Sequence, residues 1–566
     1  MLSDKKPTWQ IYLLIGAFII ALGFRFVRLG YSPLNDREAS IALQALAAAD
    51  GTKTEFGPFI SIVGLTALDF YIFSATDFLA RFWSALLGAL IIFIPFLYHK
   101  RIGYWPAMIA SFMLAISPEM VGLSRIVGSP MVAGVCLLLS IGLITYHKPV
   151  LSGVFLALGL MSGASFWLGL IILGSSWLIS KKLVPDCDFF RFPKLSEKGS
   201  FWLPFDIAFG LTLLIVSTSF FMEPAGVSGI FAGLVSFILG FFIEYSNLYF
   251  LLPLTLLAYT GSALIFGVWG GLRGIIARDK IDTILLFWFV VGLATILLYP
   301  GSQPADILWV TIPLWILTAR FLFSVWRFPE TSRLVVGGTV AAVIVLSAFM
   351  LIALRSLVRP DLEQQQQLNT LIALIGGLVL IVAVLLLVNF GWKEEVSISG
   401  LLFGLVIVNI FTLISISVNT TSLGSDDANN FWYPKEPQLS TEWLSVSIDR
   451  ISDWNESSGV PVDIAVSDFN TPGMAWTLRG NDSINFIPYL TPQSQSGIVI
   501  TDDQSYPELT NSYRGQDLVW SREVLWEEMT PFQYLNWLVT RKAPVRTRQI
   551  ILWVRTDLMV DDQFSP

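Results

Sequence analysis

The chain has 566 residues, of which 54% are hydrophobic and 14% are charged, and its mean hydropathy is +0.67. Because a soluble domain carries about 25% charged residues, this composition excludes an ordinary soluble enzyme and indicates a polytopic membrane protein. The net charge of −7 combines a bilayer part with an acidic tail, so it favours no particular partner, and we expect no nucleic-acid partner. The two cysteines and two histidines form no pattern typical of a disulfide framework, a zinc site or a histidine-based triad.

Apolar runs predict about 13 membrane-spanning helices, because a bilayer core needs about 20 apolar residues per helix. Two of the runs, 150–163 and 165–180, are short and could form one re-entrant pair. The stretch 57–76 is apolar but contains Asp69, and we interpret it as a helix at the membrane surface. The predicted spans are 10–29, 79–98, 105–121, 129–146, 150–163, 165–180, 202–221, 249–271, 281–300, 306–324, 334–353, 370–389 and 398–418.

Lysine and arginine residues concentrate in alternate loops, and this predicts the orientation of the chain. With about 13 spans the basic loops share one side, which we interpret as cytoplasmic, and the C-terminus lies on the other side. We expect an integral protein of a prokaryotic plasma membrane with a cytoplasmic N-terminus, and long outer loops at 31–78 and 222–248 that carry the function. The basic loops are 99–101, 181–198, 272–280 and 326–333, together with Lys5, Lys6 and Lys148.

The composition changes at about residue 419, where polar residues, proline and asparagine become more frequent. We predict a transmembrane domain of residues 1–418 and an extracytoplasmic α/β domain of residues 419–566, a length within the usual size of a domain. A helical pattern covers 530–541. Short β-type runs occur at 462–468, 483–490, 497–503 and 549–555.

An acidic pair begins the helix predicted after the first span, in the sequence PLNDREASIALQAL of residues 33–46. Asn35 can serve as the N-cap, with Asp36 and Glu38 in the first turn, as in a capping box. Alternatively, one carboxylate faces a cavity at the membrane surface. There it could bind an acceptor, take its proton or hold a divalent cation. The spacing alone leaves both interpretations open.

Further motifs follow the acidic pair in a fixed order: Arg81 at the start of the second span, Ser117-Pro118, and Ser124-Arg125. In this order and spacing the chain resembles the GT-C membrane glycosyltransferases, in particular the dolichyl-phosphate-mannose–protein mannosyltransferase and aminoarabinose-transferase type. The resemblance extends to residues 152–171, 298–319 and 471–486, the last of which is similar to the external domain of some prokaryotic members.

The resemblance implies a GT-C fold and transfer of a sugar from a polyprenyl-phosphate donor to a glycan, lipid or protein acceptor at the outer membrane face. It also implies that Asp36 or Glu38 is the catalytic carboxylate and that the configuration at the anomeric carbon is inverted. Either or both carboxylates could hold Mg²⁺ or Mn²⁺ loosely. The usual family motif is an adjacent Asp-Glu pair, whereas this chain has Asp36-Arg37-Glu38, with Arg37 at the usual position of the Asp.

Arg81 and Arg125 are the candidate ligands of the donor phosphate. Both lie at the outer ends of predicted spans, at the depth of a lipid-linked phosphate, and a guanidinium group binds phosphate through two charge-assisted hydrogen bonds. Alternatively, both side chains extend to the phosphates of the surrounding lipids, or Arg81 pairs with Asp77 four residues earlier.

Glu119 and Asp306 are weaker candidates for substrate binding. Glu119 follows Pro118 at the outer end of the third predicted span, and Asp306 begins the tenth. Family members often have an arginine near the position of Ser302, so one phosphate contact could be missing from this chain.

The leading hypothesis is a glycosyltransferase, and the alternative is a non-catalytic GT-C relative that assists the flipping or presentation of lipid-linked sugars. The split acidic motif and Ser302 favour the alternative. A transporter is disfavoured, because charged groups in mid-span and matched interrupted spans are scarce. Whether Asp36 and Glu38 face a cavity or only cap the helix discriminates between the first two hypotheses.

Overall fold

The computed structural model describes residues 9–183, 198–243, 251–325, 333–359, 363–392, 394–421, 435–437, 440–457, 462–481, 483–503 and 509–558. Most of these residues are helical, and the strands all lie beyond residue 434. The helices are α1 (Trp9–Phe26), α2 (Asp36–Ala49), α3 (Ile60–Ile72), α4 (Asp77–Ala89), α5 (Phe93–Leu97), α6 (His99–Ile102), α7 (Tyr104–Ile116), α8 (Pro118–Ser124), α9 (Pro130–Thr145), α10 (Pro149–Leu160), α11 (Ala164–Leu183), α12 (Leu203–Ser217), α13 (Ala232–Leu239), α14 (Leu251–Ile276), α15 (Lys280–Leu298), α16 (Leu308–Val325), α17 (Arg333–Leu357), α18 (Gln364–Gly391), α19 (Glu394–Thr420), α20 (Ser440–Ser457), α21 (Pro472–Thr477) and α22 (Pro531–Thr540). The strands are β1 (Lys435–Pro437), β2 (Ile464–Ser467), β3 (Ile484–Ile487), β4 (Ile498–Asp502), β5 (Tyr513–Val524) and β6 (Val545–Arg555).

The helical part is that of a polytopic membrane protein. Among the described residues, 10 helical segments are long and apolar enough to cross a membrane, or 11 if α7 and α8 form one broken span. Three of the predicted spans are shorter helices, α9 with 16 residues, α10 with 12 and α12 with 15. The segment 224–242, predicted as part of an interfacial loop, passes the same test, although two 3₁₀ turns flank α13 within it.

The break between α7 and α8 has a clear cause in the sequence. The two helices meet at an angle of 57°. Pro118 lacks an N–H group and disfavours a helical conformation in the residue before it, and Ser117 is extended, with φ of −71° and ψ of 130°. The Ser-Pro motif therefore ends α7 and starts α8 in a new direction, which brings Arg125 to the end of α1.

The helix predicted for 57–76 is α3, and it is an interior helix. Its residues from Ile60 to Ala67 are all buried, because α2, α4 and α12 pack around it. Gly64 allows α3 and α12 to pack closely, because a Cβ atom there would lie 1.9 Å from the carbonyl oxygen of Val216 in α12. Together these helices form a scaffold beneath the first turn of α2.

A six-stranded sheet in the order β1-β5-β6-β4-β2-β3 forms the core of the C-terminal domain. Strands β4, β2 and β3 are parallel, and the other pairs are antiparallel. The structure contains a strand in each of the four predicted β-type runs and a helix in the predicted run 530–541. Strands β1 and β5 were not predicted, since the sequence of β5, YRGQDLVWSREV, is largely polar and contains a glycine.

The C-terminal domain contacts the membrane part through α21. The indole Nε1 of Trp476 donates to Asp77 Oδ1 at 2.6 Å, and Arg479 Nη2 donates to the carbonyl oxygen of Ala75 at 2.7 Å. The ring of Trp476 also stacks on Phe70, with centroids 5.8 Å apart. These contacts hold the domain over the N-terminal ends of α2 and α4.

Candidate functional site

Glu38 is part of a buried ion pair beneath the first turn of α2. Its Oε1 accepts from Arg81 Nε at 3.0 Å, and its Oε2 accepts from Arg81 Nη2 at 2.6 Å. Oε1 also accepts from the backbone N–H of Val127, and Oε2 from that of Asn35 in a complete capping box. The side chain of Glu38 is 0% exposed and that of Arg81 is 2% exposed. The predicted cap is therefore present, and it is tied to a buried cation.

Arg81 fixes the loop that leads into α2. Its Nη1 donates to the carbonyl oxygens of Leu29 and Ser32, and its Nη2 donates to that of Pro33. The alternative pairing with Asp77 is replaced, because Asp77 accepts from Trp476 instead. Arg81 thus joins α4 to the end of α1 and the start of α2, and phosphate binding by this residue stays a prediction.

Arg125 performs a similar structural task at the C-terminal end of α1. Its Nη1 donates to the carbonyl oxygens of Phe24, Arg25 and Val27, at 3.2, 3.0 and 2.8 Å. Cations are favourable at a helix C-terminus, where carbonyl oxygens lack partners within the helix. Its Nη2 reaches the carbonyl oxygens of Arg28 and Thr421, so Arg125 also connects α1 to the end of α19. A contact with donor phosphate stays a prediction for this residue too.

Asp36 lies in a different environment from Glu38. It is exposed, and its Oδ1 accepts from the backbone N–H of Gly473 in α21 at 3.0 Å. It lines a cavity of about 220 Å³ between α2 and the sheet, the Asp36 cavity, whose other walls include Asp502, Trp520 and Arg548. Asp36 is therefore the member of the acidic pair that faces a cavity.

The far wall of the Asp36 cavity is an ion pair between β4 and β6. Arg548 Nη2 donates to Asp502 Oδ2 at 2.7 Å. Partial burial raises the pKa of Asp502, but hydrogen bonds from Arg548 and Asp503 and the charge of Arg548 outweigh it, so the pKa lies below its usual value. Asp502 is therefore ionised at neutral pH, and this wall presents charges of both signs to Asp36.

Arg37, between the two carboxylates of the acidic motif, lines a second cavity. This Arg37 cavity has a volume of about 240 Å³ and includes Ser165, Gln303 and Asp306. Arg37 Nη1 donates to Gln303 Oε1 at 2.7 Å, and the guanidinium lies over the ring of Phe59. Surrounding protein desolvates the guanidinium and lowers the pKa of Arg37, an effect that the charges of Asp306 and Glu38 partly oppose.

Asp306 is buried in the wall of the Arg37 cavity. Its Oδ1 accepts from Ser165 Oγ at 2.6 Å, and its Oδ2 accepts from the backbone N–H of Gln303 at 2.8 Å. Ser165 in turn accepts from the indole Nε1 of Trp309 at 3.0 Å. Asp306 and Arg37 thus share one cavity, as a buried carboxyl group and a cavity-facing cation that hydrogen-bond to different partners.

Glu119 lies away from the Asp36 cavity and the Arg37 cavity. It is buried in the first turn of α8, and its Oε1 accepts from the indole Nε1 of Trp315 at 2.7 Å. It lines neither the Asp36 cavity nor the Arg37 cavity. The structure therefore brings Asp36, Arg37 and Asp306 to two neighbouring cavities, whereas Glu38, Arg81, Arg125 and Glu119 lie within the scaffold.

The two carboxylates of the acidic motif do not form a shared metal site in this arrangement. Asp36 is turned toward Gly473, whereas both oxygens of Glu38 accept hydrogen bonds from Arg81 and the backbone. Within the described part of the chain, no three His, Cys, Asp or Glu residues are grouped as metal ligands. Use of Mg²⁺ or Mn²⁺ stays a prediction, and the reaction proposed below contains no step that depends on it.

Sequence reasoning missed the part of the Arg37 cavity that comes from distant segments. Ser165 and Gln303 were not singled out, although Ser165 lies in a motif of small residues and Gln303 lies directly beside Ser302. The role of Arg37 as a cavity-lining cation could have been inferred from its position in the motif.

No protein-family model matches the chain, and no curated protein matches it. Among solved structures, it is similar to ArnT from Cupriavidus metallidurans bound to undecaprenyl phosphate, with a TM-score of 0.54, 13% sequence identity, and coverage of 97% of this chain and 99% of that chain. The apo state of the same ArnT gives a TM-score of 0.53 at 13% identity, with coverage of 97% and 98%. Over nearly its whole length the chain therefore has the fold of ArnT, and its resemblance to the GT-C glycosyltransferases is confirmed at the level of the fold.

Proposed function

We propose that this protein is a membrane glycosyltransferase that takes a sugar from a polyprenyl-phosphate donor and holds the donor phosphate at Arg37. The Arg37 cavity is the observation that carries the proposal. It lies beside the acidic motif, it contains a cation, and it occurs in a fold shared with ArnT, which was solved bound to undecaprenyl phosphate. A cavity of this kind between membrane helices suits a phosphate that is attached to a long apolar chain.

The charge of Arg37 is suited to an anionic ligand. Its hydrogen bonds go to the neutral oxygens of Gln303 and Gly128, at 2.7 and 3.4 Å. A phosphate that replaced these neutral acceptors would make charge-assisted, bidentate hydrogen bonds in a partly desolvated environment. Ser162 and Ser165 also line the cavity, but their hydroxyl groups already donate to the carbonyl oxygen of Gly159 and to Asp306, so Arg37 is the proposed donor to the phosphate.

The N-terminus of α2 adds to this attraction. The helix has 14 residues, and its first turn carries the partial positive charge that favours anions at a helix N-terminus. Arg37 belongs to that turn, so its formal charge and the helix dipole both attract an anion in the Arg37 cavity. The buried Glu38 is already neutralised by Arg81 and opposes the phosphate less than a free carboxylate would.

In the proposed reaction Asp36 accepts the proton of the acceptor. An oxygen or nitrogen of the acceptor forms a bond to the anomeric carbon, and the bond from that carbon to the phosphate oxygen breaks. The bonding electrons leave with the phosphate, whose charge Arg37 stabilises, while the acceptor proton passes to Asp36. Two consecutive residues of one helical turn thus supply the base and the cation.

Glu38 and Arg81 would act as positioning residues. Their ion pair and the capping box fix the first turn of α2, from which Asp36 and Arg37 project. In this proposal the acceptor, a glycan, lipid or protein, enters through the Asp36 cavity beneath the C-terminal domain. The domain and the motif would face the outside of a prokaryotic plasma membrane, with the N-terminus in the cytoplasm.

The test uses the full-length protein in lipid, with radiolabelled polyprenyl-phosphate sugars and a membrane extract as the source of acceptor. Arg37→Gln should weaken donor binding at least about tenfold, because hydrogen bonds between charged groups contribute roughly 1.5–3 kcal/mol. Asp36→Asn should retain donor binding and lose transfer. Arg28→Gln, which alters an exposed arginine stacked on Tyr31, is the matched control and should leave both unchanged.

Two results would contradict the proposal. Transfer that persists in Asp36→Asn would exclude this residue as the base. Donor binding that is equal in Arg37→Gln and Arg28→Gln would exclude the Arg37 cavity as the phosphate site.

The second candidate function is a non-catalytic carrier of lipid-linked sugars. The carboxylate of Glu38 is buried in the ion pair with Arg81, so Asp36 is the one carboxylate of the motif that faces a cavity. This loss of one carboxylate from the site favours the carrier. A carrier would bind the donor through Arg37 and release it unchanged. Saturable donor binding without transfer, in the wild type and in Asp36→Asn alike, would favour this function over the enzyme.

A further inference from the structure

A third cavity lies at the opposite ends of two of the helices that form the Arg37 cavity. We call it the Arg273 cavity. It has a volume of about 390 Å³ and is bounded by the C-terminal ends of α14 and α16 and by the N-terminal ends of α7 and α15. Its charged lining residues are Arg273, Asp279, Asp282 and Arg320, two cations and two anions.

The position of the Arg273 cavity relative to the membrane follows from the lengths of α15 and α16. The Arg37 cavity is lined by residues between the end of α15 and the start of α16, whereas the Arg273 cavity is lined by the start of α15 and the end of α16. Helix α15 has 19 residues and α16 has 18, which at 1.5 Å per residue corresponds to about 27 Å. This is close to the hydrocarbon thickness of a bilayer, about 30 Å, so the two cavities lie at opposite membrane boundaries.

Arg320 and Asp282 hold together the helices that surround the Arg273 cavity. Arg320 donates to Asp282 through Nε, to Asp279 Oδ2 through Nη2 at 2.9 Å, and to the carbonyl oxygen of Ile102 through Nη1. The side chains of Arg320 and Asp282 are 15% and 17% exposed. Arg320 is therefore committed to joining α16, α15 and α6.

Arg273, and Asp279 despite its pair with Arg320, are the two charges that a ligand in the cavity can reach. Arg273 is exposed, and within the described ranges its hydrogen bond is a long one, 3.5 Å to Ser324 Oγ. The side chain of Asp279 is 40% exposed although it pairs with Arg320 and caps α15. The Arg273 cavity thus offers one cation and one anion to a ligand, and this balance suits a zwitterion better than a simple anion.

The surroundings of the cavity are apolar and exposed. Trp105 at the start of α7 and Phe323 at the end of α16 both line the cavity and are 46% and 45% exposed. Leu272 and Ile276 of α14 are exposed beside Arg273. Aromatic residues at a span end are typical of the membrane–water interface, so the cavity lies where a lipid headgroup could enter it from the bilayer.

We propose that the Arg273 cavity binds a phospholipid headgroup that carries both a phosphate and a primary ammonium group. The phosphate accepts hydrogen bonds from Arg273, the ammonium donates to Asp279, and the acyl chains lie against the exposed apolar face of α14, which includes Trp269, Leu272 and Ile276. This site is independent of the proposed transfer reaction, because it lies at the other membrane boundary.

The test titrates short-chain phosphatidylethanolamine onto delipidated full-length protein in detergent and measures the one-to-one adduct by native mass spectrometry. Phosphatidylglycerol, which lacks the ammonium, and phosphatidylcholine, whose ammonium lacks N–H donors, are titrated in parallel. Phosphatidylethanolamine should bind more tightly than both. Arg273→Gln should weaken its binding at least about tenfold, since a charge-assisted contact is lost.

Two further variants make the test specific. Asp279→Asn keeps an N-cap acceptor for α15 but removes the negative charge, and it should abolish the preference for phosphatidylethanolamine over phosphatidylglycerol. Arg278→Gln removes an exposed arginine that does not line the cavity and should change nothing. The proposal is overturned if the wild type shows no saturable phosphatidylethanolamine binding, if phosphatidylglycerol binds as tightly, or if Arg273→Gln behaves like Arg278→Gln.

Discussion

The buried ion pair between Glu38 and Arg81 gives a prediction that separates a structural carboxylate from a catalytic one. Glu38→Gln keeps the size of the side chain and one carbonyl oxygen, but it leaves the guanidinium of Arg81, 2% exposed, without its counter-charge. Breaking a buried ion pair by removing one partner costs about 3–5 kcal/mol of stability. We therefore expect Glu38→Gln to lower the thermal unfolding midpoint clearly, even in the presence of lipid.

The assay compares unfolding midpoints of the purified variants by tryptophan fluorescence. Glu55→Gln is the control, since Glu55 is exposed between α2 and α3 and its substitution should change stability by no more than about 0.5 kcal/mol. In a double-mutant cycle with Arg81→Gln, the double variant should lose less stability than the sum of the two single variants, because removing both charges leaves neither uncompensated. A Glu38→Gln midpoint equal to that of Glu55→Gln would refute this reasoning, and loss of transfer at unchanged stability would instead indicate direct catalysis by Glu38.

Three further predictions concern the contacts around the motif. Gly473→Ala should reduce transfer while donor binding is retained, because the new Cβ would lie 2.8 Å from Asp36 Oδ1 and displace that carboxylate; an unchanged transfer rate would contradict the role of this contact. Because the pKa of Asp502 is lowered in the folded protein, its pair with Arg548 should stabilise the wild type at neutral pH. This stabilisation should decrease once the pH falls below the pKa of an unfolded aspartate, about 4, and be lost as the pH falls through the lower pKa of the folded protein; Arg548→Gln should flatten this part of the pH–stability profile, and parallel profiles would refute the assignment. Gly64→Ala should prevent correct folding, as judged by size-exclusion chromatography, since its Cβ would lie 1.9 Å from a backbone oxygen of α12.

Features set by local sequence could be predicted. The capping box at Asn35 and Glu38 follows from residues three positions apart, and the apolar runs predict the helices of the membrane part because lipid exposure demands continuous apolar length. The count of spans was less certain for a physical reason: a short helix such as α9, with 13 of its 16 residues buried, is apolar because protein surrounds it, and hydropathy does not separate that from lipid exposure.

The assignment of roles within the site depended on contacts between distant residues. Glu38 and Arg81 are 43 positions apart, and the partner of Arg37, Gln303, is 266 positions away. No local pattern indicates that one carboxylate of the motif is buried against an arginine while its neighbour two positions earlier faces a cavity. The sequence therefore singled out Asp36 and Glu38 at the first turn of α2, but only the fold shows that Glu38 lies in the scaffold and that Asp36 lines a cavity.

The docking of α21 on α2 has a consequence for the order in which the protein is assembled. The N–H of Gly473 that meets Asp36 is 437 positions downstream of it, and Trp476 is 399 positions downstream of Asp77. At a synthesis rate of about 5–20 residues per second, α2 and α4 wait roughly 20–90 s for these partners. During that interval the first turn of α2 is held by contacts within the membrane part, which include the ion pair with Arg81, the N–H of Val127 and its own capping box, and the C-terminal domain closes the Asp36 cavity last. The newly made membrane part would then expose Asp36, Asp77 and the ring of Phe70 to the aqueous side until the final sixth of the chain has folded over them.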